Sequence, residues 1–218
     1  MSLEIKNTKT TNEKFINTIV YGDSGVGKTS LIRTLPVEAT LVLSAENGLL
    51  SVADCGVDYV ETKSISDIMT ILKTLDVKKY RHVVIDSITE LGQNHFVFLK
   101  KKYPDAKNAL QLWGDFGGDF QEMFKKLRDM KISVLAVALL KEKENATGQM
   151  EKMPDIYGKT AKKIQAWFDE VFYMHIDKDG NRMFLTEKTT LTDAKDRSTK
   201  LDKIEKADMR HIHGKIFN

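Results

Sequence analysis

Eight consecutive residues limit what this chain can fold into more than any other feature. Gly22-Asp23-Ser24-Gly25-Val26-Gly27-Lys28-Thr29 satisfies the spacing G-x-x-x-x-G-K-[ST]. At average residue usage, 218 residues would yield about 0.01 chance matches. The flanks agree with the motif. An apolar run, Phe15 to Tyr21, leads into it, and Ser30 to Leu35 follows with a helical pattern that Pro36 stops. Glycines let successive backbone N–H groups turn toward phosphate oxygens, and the start of a helix adds partial positive charge. In this reading Gly22, Asp23, Ser24, Gly25, Val26, Gly27, Lys28, Thr29 and Ser30 form the binding loop. Lys28 reaches the β- and γ-phosphates, and the Thr29 hydroxyl is a ligand for Mg²⁺. A structural turn is the plain alternative. The motif together with its flanks favours a nucleoside triphosphate site.

Such a loop needs a sheet behind it, and the rest of the chain supplies one. Thr40 to Leu43, Val57 to Val60 and His82 to Ile85 read as short strands, and Ile132 to Leu140 reads as a strand covered on both faces. Between them, Ile65, Ile68, Met69, Leu72 and Leu75 recur at helical spacing. A helix is predicted from Ile88 to Lys102, ended by Pro104, and Phe120, Met123, Phe124, Leu127 and Met130 form another helical stripe. Lys141 to Tyr157 reads as a long loop or a small hairpin, and Lys159 to Phe168 as a helix. Glu170 to Ile176 and Arg182 to Lys188 flank Asp177-Lys178-Asp179-Gly180, a hairpin signal. The expected fold is α/β, with a mostly parallel sheet, flanking helices and a C-terminal antiparallel hairpin. Residues 1–12 are expected to be a loose arm and 13–218 a single domain.

Composition excludes more than it selects. No run approaches the ~18–20 apolar residues of a membrane span, and the polar start, Met1 to Lys14, has no secretory h-region. Cys55 is the single cysteine, which fits a reducing cytoplasm. With 34 Lys+Arg against 31 Asp+Glu, the formal charge of +3 does not argue for nucleic acid by itself.

Two carboxylates are candidates to complete the site. Asp86 ends the run Val83-Val84-Ile85 and could support Mg²⁺. An Asp there can equally cap a turn, with Ser87 capping the next helix. Glu46 follows the strand-like Thr40-Leu41-Val42-Leu43-Ser44-Ala45. Ligands of open parallel sheets sit beyond the carboxyl ends of the strands, so Glu46 would share the crevice and orient an attacking water. Otherwise it is a solvated loop residue.

This order of motifs resembles the RecA-like ATPase core. More narrowly, the chain is similar to compact P-loop nucleotide-binding proteins of bacteriophages, relatives of phage single-strand annealing ATPases. The likeness spans roughly Phe15 to Leu201. It implies ATP and Mg²⁺ as cofactors, Glu46 as catalytic glutamate and Asp86 as the metal-supporting aspartate. It also implies a homo-oligomer, ring or filament, acting on single-stranded DNA. Lys195 and Arg197, in Lys195-Asp196-Arg197, resemble the paired cations such proteins insert into a neighbour's ATP site. One departure stands out. The strand Ala136-Val137-Ala138-Leu139-Leu140 shows no polar sensor residue before Lys141.

The segments Tyr103 to Gly118 and Lys141 to Lys163 lie where DNA-binding loops belong in that core. They carry Lys107, Lys141, Lys143, Lys152, Lys159, Lys162 and Lys163 with Trp113 and Tyr157, suited to phosphate neutralisation and base stacking. Packing of the two aromatics against the domain is the alternative. A GTPase is disfavoured. Thr199-Lys200-Leu201-Asp202 fits the guanine-reading spacing and Asp115-Phe116-Gly117-Gly118 fits D-x-x-G, but the first sits in a polar stretch and Thr89 occupies the switch-glycine place. A small-molecule kinase would need an arginine-bearing lid and an acceptor pocket. A nucleotide-binding module without hydrolysis remains if Glu46 is misplaced. His211 and His213 read as an edge-strand coincidence, not a metal site.

Overall fold

The computed structural model describes residues 14–46, 48–105, 109–157 and 165–218. Its centre is the strand β1 (Asn17–Gly22), which pairs in parallel on both sides, with β5 (Ser133–Glu144) and with β7 (Glu170–Ile176). Beyond β5 lie β4 (His82–Asp86), β2 (Thr40–Ser44) and the edge strand β3 (Asp58–Glu61), all parallel. On the other side, β8 (Arg182–Leu185) and β10 (Ile204–Lys206) extend the sheet with antiparallel pairing. The order is β10-β8-β7-β1-β5-β4-β2-β3. Off this path, β6 (Met150–Pro154) pairs with the far end of β5 and β9 (Lys195–Asp196) with the start of β7.

Strand periodicity divides the core between the two faces. Ile19 and Tyr21 of β1, Leu41 and Leu43 of β2, and Val83 and Ile85 of β4 point to one face. There they pack on α1 (Ile65–Thr74), α2 (Ile88–Lys102) and α3 (Ala109–Asp129). Their neighbours Val20, Val42 and Val84 point to the other face, against Leu31, Ile32 and α4 (Met209–Phe217). Each fully buried side chain of this size contributes about 1.5–3 kcal/mol.

Several elements differ from the sequence expectations. The turn after the phosphate loop, Thr29–Thr34, is a 3₁₀ helix and not an α-helix. Pro36 leaves it room for only six residues, and the Thr34 hydroxyl bonds back to the Leu31 carbonyl. Tyr103 to Gly118 is not one loop, because α3 begins at Ala109. Leu112, Phe116, Phe120, Phe124 and Leu127 bury one continuous helical stripe, which carries the helix through its glycines. Lys141 to Pro154 is the hairpin alternative: β5 runs on to Glu144 and returns as β6. His211 and His213 lie on α4, not on an edge strand. His211 bonds Glu205 at 2.9 Å and His213 stacks on His82. Among the described residues no group of three or more His, Cys, Asp or Glu could hold a metal, and no helix is long and apolar enough to cross a membrane. The proposed arm (residues 1–12) and most of the helix expected from Lys159 lie outside the described residues.

Candidate nucleotide site

Parallel pairing brings the carboxyl ends of β1, β2, β4 and β5 to one edge. Gly22 pairs with Leu139, Ser44 with Asp86 and Asp86 with Val137. A cleft of about 370 Å³ opens there. It is lined by the loop residues Ser24, Gly25, Gly27, Lys28, Thr29 and Ser30, and by Glu46, Ser51, Asp86, Ser87, Leu139 and Arg182. This is the crevice an open α/β sheet offers a ligand.

The loop geometry requires its glycines. A Cβ on Gly22 would lie 2.4 Å from the Met174 carbonyl oxygen of β7, so only glycine allows that approach. Gly27 has φ +103°, a conformation that side-chain-bearing residues rarely adopt. Val26 is buried between the exposed loop and the core, which anchors the turn.

Lys28 is 8% exposed, and its ammonium donates to the carbonyls of Gly22 (2.9 Å) and Asp23 (2.7 Å). Burial lowers its pKa from the ordinary value, against the pull of Asp86, Glu46 and Asp23. The Thr29 hydroxyl donates to Asp86 Oδ2 at 2.8 Å, although the two are 57 positions apart. Burial pushes Asp86 up to about 6. The Thr29 bond and Lys28 oppose that rise, and the Glu46 charge adds to it. A buried carboxylate that accepts a hydroxyl hydrogen bond has the hard-oxygen chemistry that suits Mg²⁺.

Glu46 is tied to the same centre. Its backbone N–H, like that of Ala45, points at the Asp86 carbonyl, and the Ser87 hydroxyl donates to its carboxylate. Ser87 also accepts from the Glu90 N–H as the N-cap of α2. The cap reading and the metal reading of this strand end are thus divided between two residues: Ser87 caps, while Asp86 faces the loop.

The other candidates lie elsewhere. Lys195 and Arg197 sit by β9, which pairs with Glu170 and Val171 at the start of β7, the end opposite the phosphate loop. Lys195 donates to the Gln165 and Phe168 carbonyls, and Arg197 bonds Asp169 at 2.7 Å and the Ala166 carbonyl. Both cations are engaged inside their own chain, whereas the resemblance implies that they enter a neighbour's ATP site. Lys141 is exposed and pairs with Asp155 at 3.5 Å, and the β5 residue that lines the cleft is Leu139. The D-x-x-G match falls inside α3, where Asp115 bonds Tyr103 and Lys102, and none of Thr199 to Asp202 lines the cleft.

The AAA domain family matches residues 14–198, a span that holds the loop, Glu46, Asp86 and the hairpin. The chain belongs to the AAA domain family. Its fold is of the RecA-like P-loop type. A KaiC-like protein from the archaeon Pyrococcus horikoshii is similar at 11% identity over 82% of this chain and 80% of that one, with a TM-score of 0.50. The RadB recombinase aligns over 78% of this chain and 79% of its own at 16% identity, with a TM-score of 0.49. No curated protein matches this AAA domain in sequence.

Sequence reasoning misses Arg182, which reads only as the start of a strand. Nothing local marks it, because its place at the loop depends on two strand pairings. It also misses a larger hollow of about 930 Å³ next to the cleft. The hollow shares Ser24, Glu46 and Leu139 with the cleft and continues over Lys63, Asp67, Asn94 and Phe98.

Proposed function

We propose that this AAA domain binds Mg²⁺-ATP in the 370 Å³ cleft and hydrolyses it. The observation that carries the reading is the convergence of Lys28, Thr29, Asp86 and Glu46 on one strand-end edge, joined by the Thr29–Asp86 and Ser87–Glu46 hydrogen bonds. Thr29 and Asp86 would hold Mg²⁺, which when bound neutralises charge on the phosphates. Lys28 exchanges its two carbonyl partners for phosphate oxygens and keeps its charge in a buried setting. Glu46, positioned by Ser87, orients the attacking water and accepts its proton. Lys195 and Arg197 act in trans only if a neighbour draws them from Asp169 and the carbonyls they now hold.

Single-stranded DNA is the proposed client, in phage recombination or replication, as the sequence resemblance implies, with the chain assembled as a ring or filament. Trp113 supports this: it is 43% exposed, stacks on Tyr157 and lies near Phe96, which Lys100 overhangs. Lys107, Lys159, Lys162 and Lys163 lie outside the described residues.

The test is ATP turnover with and without single-stranded DNA in wild type, Lys28→Ala and Glu46→Gln. DNA-stimulated turnover that both substitutions remove is the expected result. Preference for GTP would refute the reading. A second reading, phosphoryl transfer to a small molecule, is favoured by the 930 Å³ hollow that shares Glu46 with the cleft. Turnover stimulated by a metabolite in place of DNA would select it.

A further inference from the structure

The side of the cleft away from the carboxylates carries a cation that the loop motif does not specify. Arg182 is the first residue of β8, and its place is fixed by the sheet. β1 pairs with β7, and Arg182 pairs with Ile176 at the end of β7. The preceding turn is tightly bonded. Asp177 accepts the N–H groups of Asp179 and Asn181 at 2.9 and 2.8 Å, and Gly180 has φ +83°. On the other side the Arg182 carbonyl accepts the Ala207 N–H at 3.0 Å.

The side chain lies flat against the phosphate loop. A Cβ built on Gly27 would stand 2.6 Å from Arg182 Nε and 2.9 Å from its Cζ. Gly27 is the residue before Lys28, so the guanidinium covers the turn from which the loop amides point. Among the described residues the guanidinium has neither a hydrogen bond nor a carboxylate partner. Three other arginines do pair: Arg33 with Asp54, Arg128 with Asp129 and Arg197 with Asp169.

Charge is segregated across the cleft. Asp86 and Glu46 arrive from β4 and β2 on one side of β1, and Arg182 arrives from β8 on the other, with Lys28 between them. A polyphosphate in the cleft would carry its metal on the carboxylate side. Its opposite side needs fixed positive charge, and a guanidinium fork matches phosphate oxygens well.

We propose that Arg182 is a phosphate ligand acting in cis, closing the nucleotide cleft from the β7–β8 hairpin. This inference rests on the nucleotide-binding reading above. It gives the hairpin a direct role in holding nucleotide, separate from any cation supplied by a neighbour.

The test measures ATP affinity by equilibrium titration of wild type, Lys28→Ala, Arg182→Gln and Arg182→Lys. Arg182→Gln should weaken ATP about ten-fold, the scale of one charge-assisted hydrogen bond. Arg182→Lys should recover most of that loss, because an ammonium still binds phosphate. Arg182 is solvent-exposed, so thermal melts of the variants should overlay wild type, and Arg182→Lys serves as the folded control. Unchanged affinity in Arg182→Gln overturns the proposal, as does an Arg182→Lys variant as weak as Arg182→Gln. If wild type and Lys28→Ala bind ATP equally well, or neither binds, the nucleotide-binding reading fails and this proposal fails with it.

Discussion

Asp86→Asn should make the nucleotide-free protein more stable while disabling the site. Asp86 is 5% exposed, and burial raises its pKa from 3.8 to about 6. The sign follows from proton counting. Well below pH 3.8 both folded and unfolded states carry the proton, and the group contributes nothing. Between 3.8 and about 6 the unfolded chain has lost the proton and the folded one has kept it, so stability falls as pH rises. Above about 6 the penalty is constant. The gap between the two values corresponds to roughly 3 kcal/mol, a large part of the ~5–15 kcal/mol that holds a domain folded. Asparagine cannot ionise, yet its side-chain oxygen can still accept the Thr29 hydroxyl, so the local bond survives. Urea melts at pH 4, 5, 6 and 7 should show the variant gaining on wild type across that range, by about 1–3 kcal/mol at pH 7. Taking the difference between the two proteins cancels Glu170, which burial raises to about 8, and His213, lowered to about 4. Mg²⁺-ATP should reverse the order, raising the melting temperature of wild type and not of Asp86→Asn. A variant that is less stable at every pH, or a difference flat from pH 4 to 7, would refute the claim that burial disfavours the charged form of Asp86.

Gly27→Ala should weaken nucleotide binding at least as much as Arg182→Gln in the same titration, since a Cβ there strains a φ of +103° and displaces the Arg182 guanidinium, 2.6 Å away. His213 is lowered to about 4 by burial and by His82, which lies 5.6 Å away in a near-parallel stack. Stability should therefore fall as pH drops from about 6.5 toward 4, by up to about 1.4 kcal/mol per pH unit, and His213→Phe should remove that acid loss in thermal melts. Phe116 is fully buried and touches the rings of His95, Phe96, Trp113, Phe120 and Tyr157. Phe116→Ala should cost about 3–5 kcal/mol by urea denaturation. A loss under 1 kcal/mol would mean the α2–α3 packing is not what holds that face.

Local signals carried the elements. The strand β7 and the helix α2 have the bounds expected from their apolar spacing and from Ser87 and Pro104 at the helix ends. The β5–β6 segment reads equally as loop or hairpin because Lys141 to Glu144 is polar, and an exposed ladder has no apolar pattern to read. In the sequence the helical stripe of α3 is plain only from Phe120 onward, because Gly114, Gly117 and Gly118 interrupt the pattern before it. The Leu112–Phe116–Phe120 stripe outweighs them by burying one face. The 3₁₀ turn at Thr29–Thr34 could not be told from an α-helix, since both leave Leu31 and Ile32 on the buried side.

The phosphate loop was determined locally. Its residues are contiguous, and the positive φ of Gly25 and Gly27 is a local steric demand, although Gly22 answers to the Met174 carbonyl of β7. Asp86 and Glu46 were legible for a related reason: each ends an apolar run, and parallel strands must end together. What pairs with what was decided only in three dimensions. The Thr29–Asp86 bond joins positions 57 apart, and the Ser87–Glu46 bond joins positions 41 apart. Both exist because β5 separates β1 from β4 while β4 lies beside β2. The same holds for Lys195 and Arg197, whose charge was plain in the sequence but whose partners are carbonyls and Asp169 at the far end of β7. Arg182 is the clearest case. It reaches the loop through two strand pairings in succession, and register of that kind is set by which faces the whole sheet must bury, not by any pattern around Arg182 itself.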